Sequence, residues 1–234
     1  VLSHVSGHLR AANSAALAAS NITATTPDPE GGHIRRVEGS MEPNGVLEEG
    51  AGVLLVGGFG PSASEEDIDE LIRNSIDVYL GYGTTTIQDG YTFGAQADAY
   101  RAAAEREPLN ADVAVFPGFG FGSSTEGLED VEYERTYRNG IRVAGVKMVL
   151  DGSPQGRTAW ITEPYHEGPP GAPADYRAYP TMDPDLYKAA AATLIRRGVP
   201  FLAHANGDAA MDLMIEGVAE AVEGMDPVPD HRSV

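Results

Sequence analysis

The sequence contains no cysteine and very little lysine. Without cysteine the chain has no disulfides, no thiolate nucleophile and no cysteine-rich zinc site, so a metal must be held by His, carboxylate or a modified side chain. Of 16 basic residues only Lys147 and Lys188 are lysines, and the rest are arginines. Against them stand 35 acidic residues, a net charge of −19. Such a chain lacks the basic surface that nucleic acid or an anionic membrane requires.

Long apolar runs are also absent. The longest stretches, such as 53–56 and 146–150, are far too short to span a bilayer. With 42% hydrophobic and 22% charged residues, the composition is that of a globular protein with a sizeable core. We therefore expect a cytoplasmic protein with a small-molecule substrate and neither nucleic acid nor membrane as partner. The sequence is also compatible with a homo-oligomer.

The two ends are typical of an internal piece of a longer chain. The chain starts at Val1 with no basic, apolar signal-peptide layout, and it stops at Val234 without a closing element. We expect residues 1–234 to form one partial domain. Turn residues cluster at 25–32, so residues 21–60 are predicted to be a surface excursion or an inserted segment.

Helices and strands alternate along the rest of the chain. Ser64, followed by three acidic residues and by apolar residues at helical spacing, predicts an N-capped helix that ends near Gly81. The other predicted elements are a short helix capped by Asn13 or Ser14, strands at 84–88, 112–116, 143–150 and 199–203, helices at 95–107, 183–197 and 208–222, and a long loop at 151–181. Buried strands separated by helices predict a parallel sheet of βα units.

Chemistry-bearing residues follow these strands. In parallel α/β folds functional groups collect at the carboxyl ends of strands. The residues found there are His4, His8, Asp89, Lys147, Asp151, His204, Asn206 and Asp208. A series of His, Asp, Lys and His is more typical of a metal site than of a core.

Lys147 is the most informative single residue about function, because it places an ammonium in an apolar strand. A buried lysine is costly unless it is paired or neutralised. Three functional roles would justify it: a Schiff base, a general base of lowered pKa, or a lysine carbamylated by CO₂ that bridges two metals. The structural alternatives are a snorkelling edge-strand lysine and a salt bridge to Asp151.

His204 ends a strand, where a neutral imidazole is a good ligand for a divalent metal. The alternative is a histidine that is hydrogen-bonded to the following helix. Asp151 precedes Gly152, and an Asp-Gly turn needs no catalysis to explain it. The loop that carries Arg157 and Trp160 is a candidate pocket wall, although a lid or a structural loop explains it equally well.

Several segments resemble one family. They are GVKMVLDGSPQGRTAW at 145–160, AHANGDAAMD at 203–212, SGH at 6–8, NSAAL at 13–17 and PNGVLEE at 43–49. In this order they resemble the signatures of the amidohydrolase superfamily, in the branch called amidohydrolase family 3, which includes N-substituted formamide deformylases. The match extends over essentially the whole chain.

The resemblance implies an α/β fold, a partial TIM-type (β/α)₈ barrel with a small accessory β domain, in which a metal-activated water attacks a C–N bond other than a peptide bond. Lys147 would match the metal-bridging, carbamylated lysine and His204 the histidine ligand on the following strand, both of them catalytic. We assign His8, Asp151, Arg157 and Trp160 to substrate binding. The implied cofactor is a divalent metal, zinc by expectation, as one or two ions.

The family's His-x-His pair, a further histidine ligand and the general-base aspartate are expected outside this chain. We therefore predict that the fragment, which would lack the N-terminal and C-terminal portions of the barrel, is inactive alone. The competing interpretations are a non-catalytic barrel remnant, a small-molecule binding domain, and a lysine-dependent Schiff-base lyase.

Overall fold

The computed structural model describes residues 1–55, 64–120 and 125–234, which form two compact units. The first unit comprises Val1–Gly60, Val149–Lys188 and His204–Glu220, and the second Pro61–Met148, Ala189–Ala203 and Ala221–Val234. The chain is of the α/β class. Among the described residues no helix is long and apolar enough to cross a membrane.

The described residues contain nine strands and five α-helices. The strands are β1 Leu2–Ser3, β2 Leu9–Ala11, β3 Gly32–Arg36, β4 Pro43–Glu49, β5 Thr86–Thr92, β6 Asp112–Pro117, β7 Ile141–Val143, β8 Val146–Val149 and β9 Phe201–His204. The helices are α1 Ser14–Ala19, α2 Glu65–Gly81, α3 Gly94–Arg106, α4 Pro184–Arg197 and α5 Asp208–Val222. Short 3₁₀ turns lie at Gly50–Leu54 and Thr125–Leu128.

The first unit contains an antiparallel sheet with the strand order β1-β2-β4-β3. Strand β4 is central, and its register pairs Leu9 with Glu48 and Ile34 with Leu47. Ile34 and Leu47 are fully buried and pack with Ala51 and neighbouring apolar residues. This sheet carries His8 just before β2 and Glu49 at the end of β4, and so brings two distant parts of the sequence together.

The expected surface excursion at 21–60 is sheet over much of its described length. Strands β3 and β4 lie within it, and Ile34 and Leu47 are core residues, so the expectation of a segment outside the core is wrong for these strands. The turn residues at 25–31 form a loop before β3, and Gly32 is the first residue of that strand. Residues 56–60 lie outside the described residues, and the idea of an insertion stays a prediction.

The second unit contains the parallel sheet β5-β6-β7, with strands in chain order. Strand β6 is its buried centre, and Val113 and Val115 pack in one cluster with Ile72 and Ile76 of α2. The predicted N-cap of α2 is confirmed, and the structure shows that Ser64 and Asp67 form a capping box by exchanging hydrogen bonds. The parallel arrangement predicted from the alternating elements is therefore present.

The predicted strand at 143–150 is two strands, which is a correction. Strand β7 pairs with β6, while Val146 donates its backbone N–H to Pro200 O, so β8 continues on β9. The break falls at Gly145, whose φ is +157° and where a Cβ would lie 2.2 Å from Pro200 O. Only glycine permits this close approach of the Gly145 and Pro200 backbones. At this point the strand pairing therefore shifts from β6 to β9.

Strands β8 and β9 run parallel. The bonds Val146 N–H to Pro200 O and Leu150 N–H to His204 O advance by the same number of residues on both strands. The residues after β6 also reach β8, since Phe119 donates its N–H to Lys147 O over 2.7 Å. Parallel strands thus follow one another in chain order up to β9, whose carboxyl end is His204.

Candidate active site

His204 closes β9, and its imidazole lies among polar groups of the first unit. Its Nε2 is 3.0 Å from Asn206 Nδ2 and 3.3 Å from Gly152 O. Asn206 also donates to Gly152 O over 2.8 Å, which fixes the direction of its amide. Gly152 O can only accept and Asn206 Nδ2 can only donate, so the tautomer of His204 decides which of the two bonds Nε2 forms.

Asp151 is fully buried and holds two chain segments at the site. Its Oδ1 accepts the backbone N–H of Asn206 at 2.9 Å, and its Oδ2 accepts those of Trp160 at 2.9 Å and Gly207 at 2.7 Å. A carboxylate with three N–H donors is strongly stabilised in place. Asp151 therefore fixes the turn that follows His204. A direct substrate contact by Asp151 stays a prediction.

His8 joins a buried carboxylate on β4. Its Nδ1 lies 2.7 Å from Glu49 Oε2, and Glu49 is only 3% exposed. The other oxygen, Oε1, accepts the hydroxyl of Thr158 at 2.6 Å. The rings of His8 and His204 are 5.2 Å apart between centroids. Four side chains thus connect the sheet, the loop after β8 and the end of β9 within the first unit.

The pKa of His8 depends on Glu49, on burial and on Asp151. The hydrogen bond to Glu49 raises the pKa of His8, burial opposes it, and the charges of Glu49 and Asp151 add to the rise. The neighbouring Glu48 is equally buried, but it serves a different group and pairs with Arg35 Nε at 2.6 Å. Of these two carboxylates, Glu49 is therefore the one that forms the hydrogen bond with His8.

Lys147 lies in β8, in the second unit, and is half-buried. Among the described residues its ammonium has no hydrogen-bond or ion-pair partner, so the salt bridge to Asp151 considered above is not formed there. Burial lowers the pKa of the Lys147 amine. The neutral amine is therefore easier to reach at Lys147 than at Lys188, which pairs with Glu216 and Glu220.

Arg157 and Trp160 both lie in the loop after β8, which has no regular secondary structure, as predicted. Arg157 adopts a positive φ of 57°, and its guanidinium lies 3.6 Å from Glu167. Trp160 is fixed by its backbone N–H on Asp151. The loop is thus anchored near Trp160, and the substrate contacts assigned to both side chains stay predictions.

The described residues do not by themselves form a complete metal site. In the part of the chain that the structure describes, no three His, Asp or Glu side chains lie together in an arrangement that could hold a metal ion. A catalytic zinc takes three protein ligands and keeps one position open. Fewer than three such ligands are grouped in the described residues.

The structure brings His8, Asp151 and His204 together, and it holds Trp160 beside them through Asp151. Glu49 and Thr158 are site residues that the sequence did not predict, although both lie in the family-like segments. The sequence signal for Glu49 is the pair of adjacent acidic residues that ends β4. Nothing in the sequence pattern pointed to Thr158.

Comparison with known proteins gives the following matches. A family model described as "Amidohydrolase family" matches residues 1–234. The protein YtcJ of Bacillus subtilis (strain 168), named as an amidohydrolase, is 27% identical over 225 residues, which are 93% of this chain and 40% of YtcJ. The N-substituted formamide deformylase of Arthrobacter pascens is 38% identical over 99 residues, 41% of this chain and 18% of that protein. The chain thus spans well under half the length of these relatives.

Two solved structures have a similar fold. An uncharacterized metal-dependent hydrolase from Pyrococcus furiosus gives a TM-score of 0.60 at 19% identity, over 92% of this chain and 42% of that chain. One from Pyrococcus horikoshii OT3 gives 0.58 at 20% identity, over 91% and 40%. At such identities the similarity shows the fold alone.

Proposed function

The chain belongs to the amidohydrolase family, and from this premise we propose that it is part of a metal-dependent hydrolase of carbon–nitrogen bonds other than peptide bonds. The bond would lie in a non-peptide amide, a formamide or a cyclic amide. Two names support this proposal: a formamide deformylase among the relatives and metal-dependent hydrolases among the similar folds. The substrate is accordingly a small molecule.

The observation that carries the proposal is the polar cluster at the carboxyl end of β9. His204 ends the strand, the ring of His8 lies against it, and Asp151 fixes the turn that follows. In parallel α/β folds reactive groups gather at this end of the strands, where the βα loops meet. A cluster with two imidazoles at this position is suited to bind a substrate and to transfer protons to or from it.

We propose a partial TIM-type barrel as the fold of the catalytic domain. It is supported by the parallel strands that follow one another in chain order from β5 to β9. The antiparallel sheet of the first unit is the candidate for the small accessory β domain. A cytoplasmic location and a homo-oligomeric state stay predictions.

A divalent metal, with zinc as the proposed ion, would supply an activated water and polarise the substrate carbonyl when bound. We propose Lys147 and His204 as two of its ligands, each from its place in a family motif. Other ligands have to come from beyond the described residues. His8, Asp151, Arg157 and Trp160 are the proposed substrate contacts.

The proposed modification of Lys147 follows from its burial. A half-buried amine without an acidic partner has a lowered pKa and is more often neutral. The neutral nitrogen adds to the carbon of CO₂ and loses one proton, which leaves a carbamate anion. This reaction replaces an unpaired buried cation with a metal-binding carboxylate.

The experiment uses the protein that contains this chain, expressed in bicarbonate with zinc or manganese. Lys147→Ala should lose both metal, measured by mass spectrometry, and release of amine from an N-substituted formamide. Lys188→Ala is the matched control, because it removes the other lysine and should retain both. Metal content and hydrolysis that survive Lys147→Ala would contradict the proposal.

The observation on Lys147 also favours a second candidate, a Schiff-base lyase, since such an enzyme needs a neutral buried amine as nucleophile. Borohydride added with a carbonyl substrate would then attach the substrate to Lys147 irreversibly. A mass increase that disappears in Lys147→Ala would favour the lyase. Its absence, together with stoichiometric metal, would favour the hydrolase.

A further inference from the structure

Glu49 has an unusual backbone for a glutamate. Its φ is +47° and its ψ is −123°, a combination that residues with a side chain rarely adopt. Such strain persists only where the surrounding structure holds the residue in place, and it concentrates at functional sites. At Glu49 the surroundings include two hydrogen-bond partners, His8 and Thr158, one for each carboxylate oxygen.

The fold also leaves room for this arrangement. A Cβ on Gly152 would lie 2.2 Å from Glu49 Oε1 and 2.1 Å from Thr158 Oγ1. Only glycine at position 152 therefore permits the hydrogen bond between Thr158 and Glu49. The Thr158 oxygen in turn accepts the backbone N–H of Ser153 at 2.9 Å, so its own proton points to Glu49. Thr158 consequently donates to Glu49, and each carboxylate oxygen has its own hydrogen-bond donor.

The fixed carboxylate decides which nitrogen of His8 carries the proton. An ionised carboxylate is an acceptor only, so the His8 Nδ1 at 2.7 Å must be the donor. In a neutral imidazole the other nitrogen, Nε2, then has a free lone pair. Among the described residues no hydrogen-bond partner faces Nε2, and the His8 side chain is 17% exposed. The ring next to it belongs to His204.

We propose that Glu49, clamped by Thr158, is a positioning residue that holds neutral His8 in its Nδ1-protonated form and presents Nε2 to the substrate as a hydrogen-bond acceptor. The substrate group that fits this acceptor is an N–H donor, such as an amide or amine nitrogen. The catalytic part of this inference rests on the proposed function. The assignment of the proton within the His8 ring does not.

The first test measures that proton directly. In ¹⁵N-labelled protein at about pH 9, well above the ordinary histidine pKa of about 6.5, long-range ¹H–¹⁵N spectra distinguish a protonated ring nitrogen from a bare one. The His8 signals are identified by their loss in His8→Gln. We expect a protonated Nδ1 and a bare Nε2. A proton on Nε2 in the wild-type protein would overturn the proposal, whatever the protein hydrolyses.

The second test uses two neighbouring glutamates of equal burial. Glu49→Met should return His8 to the Nε2-protonated form that a free imidazole prefers. Glu48→Met, the matched control, removes the partner of Arg35 and should leave the His8 spectrum unchanged. Backbone amide spectra show that each variant is folded. A His8 ring unchanged by Glu49→Met would contradict the role of Glu49.

The third test applies to catalysis and separates the two proposals. With the N-substituted formamide named above, Glu49→Met should lower kcat/KM by about 10- to 100-fold, the usual effect of losing such an orienting partner, at unchanged metal content. If the wild-type protein hydrolyses no N-substituted formamide, other non-peptide amide or cyclic amide, the proposed function fails while the ring assignment stands. If it does and Glu49→Met retains full kcat/KM, the positioning role fails.

Discussion

Asp151 accepts the backbone N–H of Gly207 through Oδ2 over 2.7 Å, across 56 residues of sequence. The same oxygen accepts the N–H of Trp160, so one buried carboxylate ties the loop after β8 to the turn after β9. Because this turn follows His204 directly, the position of the imidazole depends on Asp151. The site is thus assembled by main-chain contacts as much as by its own side chains.

Replacing this carboxylate should destabilise the fold. Asp151→Asn places an NH₂ group against a backbone N–H and removes a charge from buried hydrogen bonds, which should cost roughly 2–3 kcal/mol of unfolding free energy. Urea unfolding followed by circular dichroism measures the loss. Asp212→Asn on the exposed face of α5 is the matched control and should change it by less than about 0.5 kcal/mol. Equal losses of unfolding free energy in both variants would argue against this role of Asp151 in joining the loop to the turn.

Gly207 should not tolerate a side chain. A Cβ there would lie 1.7 Å from Trp160 O, a backbone atom that cannot move aside without releasing the loop. We expect Gly207→Ala to cost about 3 kcal/mol or to prevent folding. Gly81→Ala, at the end of α2 with nothing within 4 Å of the new Cβ, should gain about 0.5–1 kcal/mol. Thermal unfolding compares the two, and a tolerated Gly207→Ala would contradict the packing described.

Lys147 should reduce stability in the unmodified protein. The half-buried amine loses hydration on folding, and no acidic partner compensates for this desolvation penalty. In buffer free of metal and bicarbonate, Lys147→Met should therefore raise the free energy of unfolding by about 1 kcal/mol. Residues kept for function often destabilise a fold, so replacing them commonly stabilises it. Lys188→Met should change it by less than about 0.5 kcal/mol, because its ion pairs lie at the surface. A loss of stability in Lys147→Met would indicate a structural role.

The capping box of α2 provides a test of local structure. Ser64 accepts the N–H of Asp67 through its hydroxyl and donates its own N–H to the Asp67 carboxylate. Ser64→Ala should cost about 1 kcal/mol. Ser75→Ala, in the middle of the same helix, removes only a bond back to Leu71 O and should be neutral within about 0.5 kcal/mol. Chemical denaturation of the two variants gives the difference.

Local sequence signals were sufficient for most of the elements. The Ser64 cap, the end of α2 at Gly81 and the helix over 208–222 are fixed by hydrogen bonds and spacing within one element, so a short window of sequence contains the cause. The same signals failed at Gly145. There the reason for the break is the backbone of Pro200, which is remote in sequence.

Apolar periodicity also overstated the buried face of α2. Ile72 and Ile76 are buried as the spacing predicts, whereas Leu71 is 66% and Tyr79 is 50% exposed. Periodicity identifies one face of a helix, but the width of the covered strip depends on what packs against it. In the described residues that packing reaches Ile72 and Ile76 and stops short of Leu71.

The sequence by itself determined the family and the α/β class, and it placed the candidate site residues His8, Lys147, Asp151 and His204 in recognisable segments. The tertiary structure alone decided how some of them are used. Glu49 reaches His8 across 41 residues and Thr158 across 109, and Asp151 turns inward to three backbone donors. The physical reason is that a buried carboxylate takes its role from the donors around it, and those donors come from distant parts of the chain.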